Sequence, residues 1–71
     1  METKKDRFIR IAEARTNKII NMIRLLGNCS NKATYEYSDV DVQKMFSTIE
    51  KELKTAKQKF SSSYEEDVFK F

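Results

Sequence analysis

The chain has 71 residues and holds one domain at most, and a chain this short usually needs a disulfide, a metal ion, very regular packing or a partner chain to be stable. With one cysteine and no histidine, the sequence excludes an internal disulfide and a zinc site, and we expect no metal and no cofactor. The lack of proline and the single glycine argue against an all-β fold, and a net charge of +3 is low for a nucleic-acid-binding arm.

Charge is distributed unevenly along the chain. Residues 1–27 carry seven basic and three acidic side chains, a net of +4, whereas residues 28–71 carry seven basic and eight acidic ones, a net of −1. This asymmetry favours attraction between the halves or an acidic partner for the first half. No apolar run approaches the roughly 18 residues of a membrane span, and the N-terminus METKKDRF has no apolar signal core. We therefore expect a cytoplasmic protein with no membrane partner.

The first predicted helix covers about residues 4–26. Thr3 and Asp6 have the spacing of a capping box, which places the helix start there. At about 100° per residue, one broad face is apolar and is more than a single partner helix covers, which predicts self-association. This face contains Phe8, Ile11, Ala12, Ile19, Met22, Ile23 and Leu26, with Ile9 and Ile20 on one flank and Leu25 off the other.

Two polar features interrupt the pattern of the first helix. Arg15 lies near the middle of the apolar face. One interpretation is that the aliphatic part of its side chain packs on the apolar face while the guanidinium reaches solvent. The other is that the guanidinium is paired with a carboxylate or tyrosine hydroxyl of helix 2 or of a second subunit. The opposite side carries a polar strip, which we interpret first as a solvated face and second as a binding surface. The strip consists of Arg10, Asn17, Asn21 and Arg24, with Asp6 and Glu13 beside it.

Residues 27–38 form the predicted bend. Gly27 follows the last periodic residue, which is the usual place for a left-handed helix stop, and the NCSNKA segment after it is rich in turn formers. Cys29 is interpreted as a small buried or half-buried packing residue, because no histidine exists to activate a catalytic thiol. The alternation over residues 34–37 predicts an extended segment, with Tyr35 packing across the open end of a hairpin.

The second predicted helix covers about residues 39–60. Ser38 and Asp41 again have capping-box spacing, and Tyr37 is placed to pack on Val42. The helix carries an unbroken heptad seam, with apolar residues spaced 4, 3, 4, 3, 4. The seam consists of Val42, Phe46, Ile49, Leu53, Ala56 and Phe60.

The rest of the second half is less regular. Lysines and glutamates flank or oppose the seam, and Glu50 with Lys54 has the spacing of a favourable ion pair. Ser61-Ser62-Ser63 is expected to end the helix, and Ser63 with Glu66 has capping-box spacing. The tail, residues 61–71, is therefore predicted to be either flexible or a short C-terminal helix.

These elements predict an all-α fold. Each helix is about 22 residues, or about 33 Å, long, and the connection is long enough to reverse the chain direction. We predict an antiparallel two-helix hairpin, residues 1–71 in a single domain, that forms a homodimer and thereby a four-helix bundle. A monomer closed by residues 64–71 is the alternative.

The bend also carries a resemblance. Its residues Ile23-Arg24-Leu25-Leu26-Gly27-Asn28-Cys29-Ser30-Asn31, followed by Tyr35-Glu36-Tyr37, are similar to those of a group of small uncharacterised proteins of Gram-positive and gut bacteria. The similarity covers residues 7–60. Genes for that group often lie near mobile elements, and the group has no assigned activity. The resemblance therefore implies a small regulator or inhibitor that acts by binding, and it transfers no functional residues.

An enzyme is not expected. The sequence has no histidine, no phosphate-binding glycine loop, no clustered inward carboxylates and no nucleophile beside a base. The leading hypothesis is a small intracellular protein-interaction module that dimerises and binds another protein. The alternative is a nucleic-acid-binding regulator that uses the basic face of helix 1. The candidate contact residues are Arg7, Arg10, Asn17, Lys18, Asn21, Arg24 and Tyr35.

Overall fold

The computed structural model describes the backbone of residues 1–68 and the side chains of residues 1–61. Over residues 1–68 it contains two α-helices, α1 (Lys4–Gly27) and α2 (Asp39–Val68), with a short 3-10 helix (Asn28–Ser30) after α1 and no strand. The predicted all-α class is confirmed. The chain divides into two units, Met1–Glu36 around α1 and Tyr37–Phe71 around α2.

The start of α1 is fixed by a capping box. The Thr3 hydroxyl accepts a hydrogen bond from the Asp6 amide at 3.0 Å, and the Asp6 carboxylate accepts one from the Thr3 amide at 3.2 Å. These bonds satisfy two amide groups that a helix N-terminus otherwise leaves without partners. Asp6 lies in the first turn and Arg24 in the last, where the helix dipole favours each charge.

The end of α1 differs from the prediction. Gly27 is the last residue of the helix and has φ −60° and ψ −29°, in the right-handed region. The C-cap is Asn28, also right-handed, and its amide points at the carbonyls of Arg24 and Leu25 among others. The predicted left-handed stop at Gly27 is wrong, because the chain leaves α1 through a right-handed 3-10 turn that satisfies the terminal carbonyls instead.

The bend is organised by Asn31. Its side-chain oxygen accepts a hydrogen bond from the Ala33 amide at 3.0 Å, and its carbonyl accepts from the amides of Thr34 and Tyr35 at 3.1 and 2.9 Å. Thr34 therefore belongs to a turn of the kind that asparagine favours, and the predicted extended segment is wrong at that residue. The interpretation of Cys29 as a packing residue is also wrong, since Cys29 lies exposed in the 3-10 helix.

The start of α2 repeats the device of α1. The Ser38 hydroxyl accepts a hydrogen bond from the Asp41 amide at 3.2 Å, and the Asp41 carboxylate accepts one from the Ser38 amide at 2.8 Å. The second predicted capping box is therefore confirmed. Tyr37 and Val42 are both half-buried, and the predicted contact between them stays a prediction.

The end of α2 also differs from the prediction. The helix continues through the three serines to Val68, so the predicted end at Phe60 is wrong. Serine costs only a few tenths of a kcal/mol in a helix interior, and the Ser61 hydroxyl donates to the Lys57 carbonyl at 3.2 Å inside the helix. The predicted cap between Ser63 and Glu66, and the structure of residues 69–71, lie outside the described residues.

Neither unit has a core of its own among the described side chains. No side chain of residues 1–61 is buried. The half-buried ones are Ile11, Ala12, Leu26, Tyr37 and Val42, and all the others are exposed. The structure of each unit is therefore held by local helix hydrogen bonds and caps, while its apolar side chains lie open.

Candidate interaction surfaces

The first candidate surface is the α1 seam, which we define as Phe8, Ala12, Arg15, Ile19, Met22 and Leu26. These residues are spaced 4, 3, 4, 3, 4, the same spacing as the apolar seam of α2. Phe8 is 51% exposed and Met22 is 63% exposed. Covering apolar surface stabilises by about 25 cal/mol per Å², so this seam is a surface that gains from a partner.

The second candidate surface is the α2 seam, Val42, Phe46, Ile49, Leu53, Ala56 and Phe60. Leu53 is 58% exposed and Phe60 is 70% exposed, although both occupy core positions of the heptad. The predicted ion pair between Glu50 and Lys54 is not formed within the described residues. Both charges are therefore available to groups outside this helix.

A recess lies at the beginning of the α1 seam. Three apolar and three cationic residues line it: Phe8, Ile11 and Ala12, and Lys4, Arg7 and Arg15. The Lys5 ammonium lies 5.6 Å from the centre of the Phe8 ring, in the range of a cation–π interaction. Arg15 is exposed and forms no ion pair with a described residue, so both interpretations of Arg15 stay predictions.

Glu2 holds two of the predicted contact residues. Its carboxylate accepts hydrogen bonds from Arg10 Nε at 2.8 Å and Arg10 Nη2 at 3.2 Å, and it lies 3.8 Å from Arg7 Nε. The hydrogen bonds from Arg10 to Glu2 raise the pKa of the guanidinium above its ordinary value. The role of Glu2 could not be predicted from the sequence, because this residue precedes the helix and lies eight positions from Arg10, outside the three- and four-residue spacing of helical pairs.

The structure groups some of the predicted contact residues and separates others. Tyr35 lies in the bend and is 49% exposed, and the other six lie on α1. At about 100° per residue, Lys18 lies at the edge of the α1 seam, and Arg7 lies between that seam and the opposite side of the helix. The remaining four share the opposite, solvent-exposed side of α1, and we keep the name polar strip for them: Arg10, Asn17, Asn21 and Arg24.

Neither metal ligation nor a known relative defines a site in this chain. Among the residues that the structure describes, no three or more cysteine, aspartate or glutamate side chains converge on a point where a metal ion could bind. A helix long and apolar enough to cross a membrane is likewise not found in the described part. Comparison with protein-family models, curated proteins and solved structures finds no match. The resemblance of the bend to small bacterial proteins therefore stays a prediction.

Proposed function

We propose that this chain is a non-enzymatic protein-interaction module, which self-associates through its two seams and binds another protein with the polar strip of α1. One observation supports this proposal above the others. Residues 1–61 include no buried side chain, yet both helices present a long, regular and largely exposed seam. Since helical stability in proteins comes mainly from packing of the amphipathic face, these seams need partners.

The two seams match each other in an antiparallel hairpin. Both seams follow the 4, 3, 4, 3, 4 spacing. The alignment that sets Phe8 opposite Phe60 therefore also sets Leu26 opposite Val42, and every seam residue of α1 has a seam residue of α2 opposite it. In such a hairpin, the basic start of α1 lies beside the end of α2. The two seams lie against each other along their whole length, and their residues also face the interior that a second hairpin closes.

The flanks of the seams also fit this alignment. It brings Lys18 beside Glu52, an attractive pair, and Leu25 beside Met45, an apolar pair. A test is the variant Lys18→Cys/Glu52→Cys in a Cys29→Ser background, which is expected to form an intrachain disulfide on mild oxidation. The matched variant Lys18→Cys/Lys51→Cys, with position 51 on the opposite side of α2, is expected not to. Equal yields in both would contradict the hairpin.

Two hairpins together form the proposed homodimeric four-helix bundle. Ile9 and Ile20 flank the α1 seam and are 48% and 39% exposed, and a single partner helix leaves them uncovered. A second hairpin covers this flank. The polar strip and Tyr35 remain on the outside, and arginine and tyrosine side chains are common anchors of protein interfaces.

Binding of another protein is tested by photo-crosslinking in the native host. A photoreactive residue at Asn21 reports on the polar strip, and the same residue at Lys51 is the control on α2. We expect Asn21 to crosslink to a protein other than this chain, and Arg24→Glu to reduce that crosslink. No crosslink from Asn21, or an equal one from Lys51, would contradict the proposal.

Nucleic-acid binding by the basic side of α1 is the alternative, and it has weaker support. Arg10 is already held by two hydrogen bonds to Glu2, so a phosphate would have to displace a carboxylate. A gel-shift titration with mixed-sequence DNA and RNA tests the alternative, since phosphate contacts are strongest at low salt. We expect no shift at low salt, and a shift that weakens as salt is raised would favour nucleic acid.

A further inference from the structure

We infer that one edge of α2, formed by Glu50, Leu53 and Lys57, is the surface on which a second copy of this chain docks antiparallel to the first. This inference rests on the proposed self-association and specifies which residues of α2 meet across the two-fold axis. The occupant is a second copy because, when two copies of this edge lie antiparallel, the negative charge of each faces the positive charge of the other.

Glu50 and Lys57 occupy equivalent places on α2. Each follows a seam residue directly, Ile49 or Ala56, and the two are separated by two helical turns, about 10.5 Å along the axis. Both are exposed and line one shallow recess together with Leu53. Neither forms an ion pair with a described residue.

Two-fold symmetry pairs these charges in an attractive way. In a symmetric dimer every contact occurs twice: if residue i of one copy contacts residue j of the second copy, residue j of the first copy contacts residue i of the second. With the axis midway between them, Glu50 meets Lys57 of the second copy, and Lys57 meets Glu50 of the second copy. One interface therefore contains two opposite-charge contacts at its edge, where such charges set the orientation of paired helices.

The same axis also gives a suitable apolar contact. It sets Leu53, which is 58% exposed, opposite Ala56 of the second copy. It sets Ile49 opposite Phe60 of the second copy, and Phe60 is 70% exposed. A large side chain meets a smaller one in each of these two layers, which is the arrangement that fills a helical interface without voids.

Other alignments of two α2 helices make poorer use of these charges. In a parallel pair, Lys57 meets Glu52 of the second copy, but Glu50 meets Met45 of the second copy and has no cation. An antiparallel pair shifted to overlap the full seam sets Glu50 against Glu50 of the second copy, which is repulsive. The charge pattern therefore selects the axis between positions 50 and 57.

A charge-swap series tests the inference. The dimer dissociation constant is measured by sedimentation equilibrium for the wild type, Glu50→Lys, Lys57→Glu and the double swap. Because each single swap turns two attractive contacts into two repulsive ones, we expect a roughly tenfold weaker dimer. The double swap restores both contacts and is expected within about threefold of the wild type. Lys51→Glu, the same charge change on the opposite side of α2, is expected to have no effect beyond about threefold.

Circular dichroism on each variant checks that the helices persist. Two results would overturn the inference and leave the proposed function standing. One is a dimer dissociation constant that neither single swap changes, and the other is a double swap that dimerises as weakly as both single swaps. A parallel pair would be weakened by Lys57→Glu, both alone and in the double swap, because position 57 then faces Glu52 of the second copy, and it would be little affected by Glu50→Lys alone. A wild type that stays at 8.4 kDa would overturn self-association and this inference together.

Discussion

Replacing Gly27 by alanine is expected to stabilise the chain, although glycine at a helix end usually signals a left-handed residue that alanine would disrupt. Gly27 is right-handed, with φ −60° and ψ −29°, and a Cβ atom built on it meets no atom within 4 Å. Alanine in a helix is favoured over glycine by about 0.5–1 kcal/mol, because an unfolded chain with alanine has less backbone freedom to lose when it folds. The free energy of unfolding should rise by about that amount.

Urea unfolding followed by circular dichroism measures this change, and thermal unfolding should show a shift of about 2–8 °C for a chain of this size. Gly27→Asn is the matched control, because asparagine tolerates the left-handed region better than alanine does but is a weaker helix former. We expect alanine to be more stable than asparagine, and asparagine to be close to glycine. The reverse order would refute the right-handed helix end.

Three further predictions concern the cap of α2, its seam and the bend. Ser38→Ala should lower the free energy of unfolding by about 1 kcal/mol, whereas Ser47→Ala, on the exposed side of α2, should not lower it. Equal effects of the two variants in urea unfolding would argue against the cap. Ile49→Asp should weaken the dimer by about 100-fold or more, because it places a carboxylate opposite Ile19 of the same chain and Phe60 of the second copy. Ser47→Asp, on the exposed side of α2, should not weaken it. Light scattering compares the two variants, and a dimer unaffected by Ile49→Asp would exclude the seam. Cys29→Ser should change stability by less than about 0.5 kcal/mol, and the Cys29 thiol should react with iodoacetamide as fast in the native protein as in urea; a protected thiol would show that Cys29 is packed.

The local features of this chain could be predicted from sequence because their determinants lie within one helical turn. A capping box needs two side chains three positions apart, and both the Thr3–Asp6 and the Ser38–Asp41 pairs form as the spacing indicates. The starts of both helices follow from these pairs. The heptad spacing of α2 likewise identified the seam side chains, which the structure places in one continuous helix.

The ends of the helices were harder to predict, because residues that permit a stop do not require one. Gly27 can adopt a left-handed conformation, but the following 3-10 turn makes this unnecessary. Ser61 can leave a helix, but its hydroxyl bonds to the Lys57 carbonyl within it. Gly27 and Ser61 are therefore compatible with a helix end and equally compatible with a continuing helix.

The sequence predicted which residues share a face of each helix, but not which residues those faces contact. Periodicity shows which side chains share a face, so it located the α2 seam and the polar strip. It carries no information on pairs outside the helical repeat, which is why the hydrogen bonds from Arg10 to Glu2 were missed. What covers each seam depends on partners far along the chain or on another chain, and no spacing rule within one helix encodes them.

The most direct test of the central claim, that these exposed seams are completed by a second copy, is the molar mass of the wild-type chain in solution. Sedimentation equilibrium over a wide range of concentration is expected to show reversible association that approaches twice 8.4 kDa, the mass of a homodimer. A mass of 8.4 kDa at every concentration up to the millimolar range would contradict the account.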